Sequence, residues 1–160
     1  TSALVIAGCA TIHEIKPFTG DNASLIRVSR SMDQPMLGSS TYIYSSNSNM
    51  ECIGLDGKKD SRFMTLDEGN PLVSEFNEGG VPVKSNQELY LKLDTVAGMK
   101  RCPVVVSFTP KAGKDYQLNV SGRIVAIPHQ CKVELTSIET GTNKQVVEEF
   151  NYYNDCIAKG

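Results

Sequence analysis

The chain carries two histidines among its 160 residues, so imidazole chemistry has few places to start. His129 lies two residues before Cys131 in Ile127-Pro128-His129-Gln130-Cys131. That pairing would let an imidazole activate a thiol for nucleophilic attack, or let the two share a metal. The simpler reading is a turn histidine beside a half-cystine. His13-Glu14 is not followed by the second histidine of a helical zinc site. Asp56-Gly57-Lys58-Lys59-Asp60 has the outline of a calcium loop, but Lys58 stands where a ligand belongs and Ser61 replaces the glycine of the sharp turn. The adjacent acids Glu148-Glu149 and Asp67-Glu68 would point to opposite faces of a strand, which is no geometry for a carboxylate dyad. Nucleophile elbows, phosphate-cradling glycine loops and dinucleotide fingerprints are missing. The expectation is a protein that is not an enzyme and that takes no metal or other cofactor.

The cysteines carry more information. There are five, an awkward number for an exported protein because pairing leaves one over. Ile6-Ala7-Gly8-Cys9 resembles the bacterial lipobox, where small side chains flank the scissile bond and the cysteine thiol takes a diacylglycerol. On this reading residues 1–8 are the remnant of a lipoprotein signal peptide and Cys9 is the lipid attachment site. The alternative is a buried strand from Leu4 to Ile12 with an ordinary core cysteine. Ala10 after the cysteine resembles the pattern of lipoproteins sorted to the outer membrane. Setting Cys9 aside leaves Cys52, Cys102, Cys131 and Cys156, enough for two disulfides in an oxidising compartment. Their wide spacing is unlike the close pairs of zinc ribbons. Each bridge would contribute roughly 3–4 kcal/mol by restricting the unfolded chain.

The elements that would position these residues read as strands. Ile26 and Val28 alternate with Arg27; Leu89, Leu91 and Leu93 alternate with Tyr90, Lys92 and Asp94. Tyr116, Leu118 and Val120, then Cys131, Val133 and Leu135, repeat the pattern. Alternation with period two marks strands with one buried face. Val104-Val105-Val106 is unbroken and β-branched, as a central strand would be. Pro110-Lys111-Ala112-Gly113 predicts a hairpin between 104–108 and 115–120, and 139–143 predicts another before 145–150. Residues 60–76 are the best candidate for one short helix, broken at Gly69-Asn70-Pro71. The expected architecture is an all-β antiparallel sandwich, immunoglobulin-like or transthyretin-like, over residues 24–160, with 9–23 as an N-terminal tether. A meander of 102–108, 115–121 and 131–138 favours the pairing Cys52–Cys102 with Cys131–Cys156. The second choice is Cys52–Cys156 with Cys102–Cys131.

Arg101-Cys102-Pro103 through Phe108-Thr109-Pro110 and Gly113-Lys114-Asp115-Tyr116, with Cys131-Lys132-Val133 beyond, resembles a group of small proteobacterial envelope lipoproteins of uncharacterised function. The resemblance covers residues 85–156 and the lipobox. It implies an envelope location and a β-rich domain, and it supplies no catalytic residue. The placing of Tyr116 also suggests a tyrosine corner, in which the phenol hydrogen-bonds backbone across a strand connection.

Composition narrows the partners. A formal net charge of −2, with basic residues scattered, gives no footprint for nucleic acid. The aromatic residues Tyr42, Tyr44, Phe150, Tyr152 and Tyr153 are the candidate binding surface, or else strand aromatics packing the core. The sequence therefore points to a lipid-anchored module on the periplasmic face of the outer membrane, binding a protein or cell-wall partner. The alternatives are a periplasmic inhibitor or immunity protein, inserting an acidic loop such as Asp67-Glu68-Gly69, and an envelope hydrolase using His129.

Overall fold

A computed structural model describes residues 13–33, 38–46, 61–69, 71–124 and 130–153. Cys9, Cys52, Cys156, His129 and the Asp56–Asp60 stretch lie outside the described residues. Among the described residues ten strands follow in order: β1 (Ala23–Met32), β2 (Ser39–Ser46), β3 (Ser61–Glu68), β4 (Val81–Lys84), β5 (Leu89–Ala97), β6 (Lys100–Phe108), β7 (Lys114–Arg123), β8 (Gln130–Glu139), β9 (Gln145–Glu148) and β10 (Asn151–Tyr153). They form two five-stranded sheets packed as a sandwich. Sheet I runs β4-β1-β7-β8-β9 and sheet II runs β10-β6-β5-β2-β3. Sheet II is antiparallel; sheet I is mixed, because β1 and β7 lie parallel with Val28 beside Leu118. The described residues contain no helix.

The period-two pattern works as expected. Ile26, Val28, Leu118, Val120 and Leu135 face the core from sheet I, and Ile43, Leu91, Leu93, Val104 and Val106 meet them from sheet II. Each such side chain, taken from water, contributes about 1.5–3 kcal/mol. β6 sits between β5 and β10, and Val104, Val105 and Val106 are all buried, as a covered central strand requires. Gly98-Met99 closes the β5–β6 hairpin in two residues, with Gly98 at φ +61°, a conformation that costs glycine nothing.

Three expectations need correcting. Residues 61–68 form β3 rather than a short helix. Ile43 pairs with Met64 but Tyr44 pairs with Arg62, so Phe63 is an extra residue in a β-bulge. The bulge buries both Phe63 and Met64, which hides the strand's alternation from the sequence. Next, 109–113 is not a hairpin turn but a crossover, since β6 belongs to sheet II and β7 to sheet I. The Tyr116 hydroxyl accepts the Lys111 N–H at 2.9 Å and ties that crossover down, as a tyrosine corner does.

The third correction follows from the second. Cys102 on β6 and Cys131 on β8 face each other across the core and form a disulfide, with Cα atoms 6.2 Å apart. The preferred pairing of Cys52–Cys102 with Cys131–Cys156 assumed that β6 and β8 share a sheet; the crossover places them in opposite layers. The second-choice connectivity contains the observed bridge, and its Cys52–Cys156 half falls outside the described residues. A structural disulfide points to an oxidising compartment outside the cytoplasm.

Both long sides of the sandwich are crossed by chain. On one side β9 of sheet I passes directly into β10 of sheet II. On the other, residues 13–18, part of the segment read as a tether, strap the edge strands β3 and β4. Ile15 N–H donates to Arg62 C=O at 2.9 Å, Arg62 N–H to His13 C=O at 2.7 Å, and Phe18 N–H to Pro82 C=O at 2.9 Å.

Candidate functional site

Side chains on sheet II alternate, so if Ile43, Leu93 and Val104 face the core their neighbours face outward. The strand register then sets Tyr44, Lys92, Val105 and Tyr153 in one row across β2, β5, β6 and β10. Tyr42, Asp94 and Pro103 form the next row, and Tyr90, Ser107 and Asn151 another. This outer face is polar but not open to water throughout: Lys92 is 6% exposed and Asp94 2%. Arg101, about half exposed, reaches back over the strand and donates through Nη2 and Nε to both oxygens of Asp94. A buried carboxylate without such a partner would be costly, so the pair accounts for Asp94. The same contact holds the Arg101 guanidinium above its ordinary pKa. Burial, then the nearby Asp94 charge, pushes the Tyr44 phenol up. Burial and a hydrogen bond with Glu88 do the same to Tyr90.

Ser107 joins this face to a cleft. Fully buried, it donates to Glu88 at 3.0 Å, accepts from the Asn151 amide at 3.2 Å and sits 3.4 Å from the Tyr153 hydroxyl. Beyond it opens a cleft of about 500 Å³. It forms where the chain changes sheet twice, after β6 and after β9, and its walls include Glu88, Lys114, Tyr116, Glu148 and Phe150. Glu148 accepts from Ser137 at 2.6 Å and from Lys114 at 3.0 Å. Those contacts, Ser137 foremost, hold its carboxyl below the ordinary carboxylate value, and Glu148 in turn raises Lys114. Most of the lining is polar, and Phe108, Tyr116, Leu135 and Phe150 form the apolar part of the wall.

The five aromatics expected to act together divide into two groups. Tyr42, Tyr44 and Tyr153 are half-buried on the outer face of sheet II. Phe150 packs against the core at the β9–β10 crossing. Tyr152 turns toward sheet I, its ring 6.4 Å from Phe150 and its hydroxyl 3.4 Å from the Cys131 carbonyl. Lys92, Asp94, Arg101 and Ser107 are the site residues that sequence reasoning passed over. Their signal lay in the polar half of the Leu89–Leu93 alternation, which reads as an ordinary wet face until the strand is known to be central.

Elsewhere the candidate chemistry stays apart. Asp67 accepts the Ser40 hydroxyl at 2.5 Å, while Glu68 is exposed at the end of β3. Among the described residues no group of three His, Cys, Asp or Glu side chains is placed to hold a metal ion. No helix there is long and apolar enough to cross a membrane. Compared with known proteins, the chain matches no family model, no curated protein and no solved structure.

Proposed function

We propose that the protein is a non-catalytic binding module of the bacterial envelope, anchored by a lipid on Cys9 and facing the periplasm. The observation that carries this reading is the outer face of sheet II. There Tyr42, Tyr44 and Tyr153 surround a nearly dry Lys92 and an Asp94–Arg101 pair, and the face runs through Ser107 into the cleft. Tyrosines offer large, rigid, amphipathic contact area at low entropic cost, which suits recognition of a protein or of cell-wall glycan. The cross-sheet disulfide supports an extracytoplasmic setting, and the lipobox supplies the anchor.

Two experiments test the halves separately. In cells expressing the precursor, Cys9→Ser should release the protein from the membrane fraction; continued membrane retention overturns the anchor. Binding to purified cell-wall sacculi and to envelope proteins, measured by co-sedimentation and cross-linking, should fall at least tenfold in the Tyr42→Ala/Tyr44→Ala variant. Unchanged binding by that variant removes the tyrosine face from the proposal.

A further inference from the structure

The four edge strands of the sandwich are not treated alike. On β3, the N–H and C=O of Arg62 are taken by residues 13 and 15, and those of Thr65 by Phe76. On β4, Pro82 has no N–H to offer and its carbonyl is taken by Phe18. These are the devices by which proteins blunt an edge. Among the described residues none of these devices is found on β9. It contains no proline, Val147 is 69% and Val146 38% exposed, and Gln145 is exposed as well. Glu139 N–H donates to Lys144 C=O, and Ser137 stands opposite Val146. By antiparallel alternation, Val146 and Glu148 therefore turn their backbone groups toward β8, while Gln145 and Val147 turn theirs outward.

We infer that this edge pairs with the β9 edge of a second copy of the chain, antiparallel about a two-fold axis through Val146. The segment Lys144-Gln145-Val146-Val147-Glu148 is self-complementary in that register. Gln145 of each copy exchanges both backbone hydrogen bonds with Val147 of the other, giving four across the axis. Val146 meets its own copy. Lys144 comes opposite Glu148 at both ends, and opposite charges there stabilise the pair. Lys144 is exposed and makes no ion pair among the described residues. Lys114 and Ser137 both engage Glu148 through Oε1, which leaves Oε2 for the incoming ammonium. A register slip of one residue, which moves the axis by half a residue, would set outward-facing groups against inward-facing ones; an axis moved by a whole residue keeps the parity but loses the match of Lys144 with Glu148. The two copies of sheet I join into one continuous sheet.

The test is sedimentation equilibrium of the purified chain between about 1 µM and 1 mM, the range expected of a small interface. The mass should double across the range, and the Gln145 amide should become protected from hydrogen exchange in step with it. Val147→Pro deletes an outward N–H without touching the β8 ladder; it should stay monomeric throughout, as should Val147→Lys if the proline variant folds poorly. Lys144→Glu should weaken association at least tenfold. A wild-type monomer at every concentration overturns the inference, and so does a dimer that persists in folded Val147→Pro or Val147→Lys.

Discussion

Replacing Cys102 and Cys131 together by alanine removes the covalent staple between the two sheets. The bridge closes a loop of 29 residues that contains all of β7. In the chain-entropy treatment a loop of that length restricts the unfolded chain by about 3.6 kcal/mol at 25 °C. Cys102 is 9% exposed and packs in the core, so loss of its sulfur adds about 1 kcal/mol. The expected destabilisation is therefore about 4–5 kcal/mol, a large share of the roughly 5–15 kcal/mol typical of a domain. Urea unfolding followed by far-UV circular dichroism reads it directly, comparing oxidised wild type with the double variant. The m-value should rise as well, because the unlinked chain exposes more surface. Unreduced peptide mapping should recover the Cys102 peptide joined to the Cys131 peptide. A loss below about 1 kcal/mol, or a Cys102 peptide joined to Cys52, would refute the cross-sheet reasoning.

Other perturbations isolate single contacts. Tyr116→Phe strands the Lys111 N–H at the crossover and should cost about 1–2 kcal/mol in the same unfolding assay. Arg101→Met leaves the Asp94 carboxylate buried and unpaired. It should cost about 1–2 kcal/mol after allowance for Arg101's exposure, and Asp94→Asn in the same chain should recover most of the loss. The Lys114–Glu148 contact sets limbs at both ends of the pH range. Glu148 is lowered on folding, so its contribution is complete above the unfolded value near pH ~4.3 and is lost as pH falls through the folded value. Lys114 is raised, so its contribution is complete below about pH 10.4 and is lost as pH rises through the folded value. Melting temperature against pH should show both limbs in wild type, and Glu148→Gln should flatten the acid one. In a spectrophotometric titration Tyr44, Tyr90 and Tyr152 should ionise above the ordinary phenol value, and Glu88→Gln should bring Tyr90 down.

How far the sequence revealed this molecule depended on whether a signal was local. Alternation along β1, β5, β7 and β8 needs only neighbours in the chain, and the inward residues of each strand were legible from it. Tyr116 was legible too, because its partner is five residues away. The crossover after Phe108 was not. Pro110 and Gly113 mark a change of direction equally well whether the next strand joins the same sheet or the facing one. That ambiguity carried straight into the disulfide pairing. β3 was hidden for another reason: the bulge at Phe63 shifts the alternation by one residue, so the neighbours Phe63 and Met64 are both buried, and Thr65 beyond them is buried as well. The candidate surface was half visible. Tyr42 and Tyr44 alternate around Ile43 and declare a shared face, but Tyr152 and Phe150 could be separated from them only once β10 was paired with β6. Asp94 depends on Arg101, which the Gly98-Met99 turn brings back alongside it.

The most direct test of a recognition surface on sheet II is site-specific photo-cross-linking in intact envelopes. Probes replacing Tyr44 and Tyr153 sit on the tyrosine face, and a probe replacing Asn119 sits on β7 in sheet I, between the core residues Leu118 and Val120. Discrete adducts at Tyr44 and Tyr153, with none at Asn119, are the expected result. Adducts at Asn119 alone, or at none of the three in envelopes that retain the protein, would contradict the assignment.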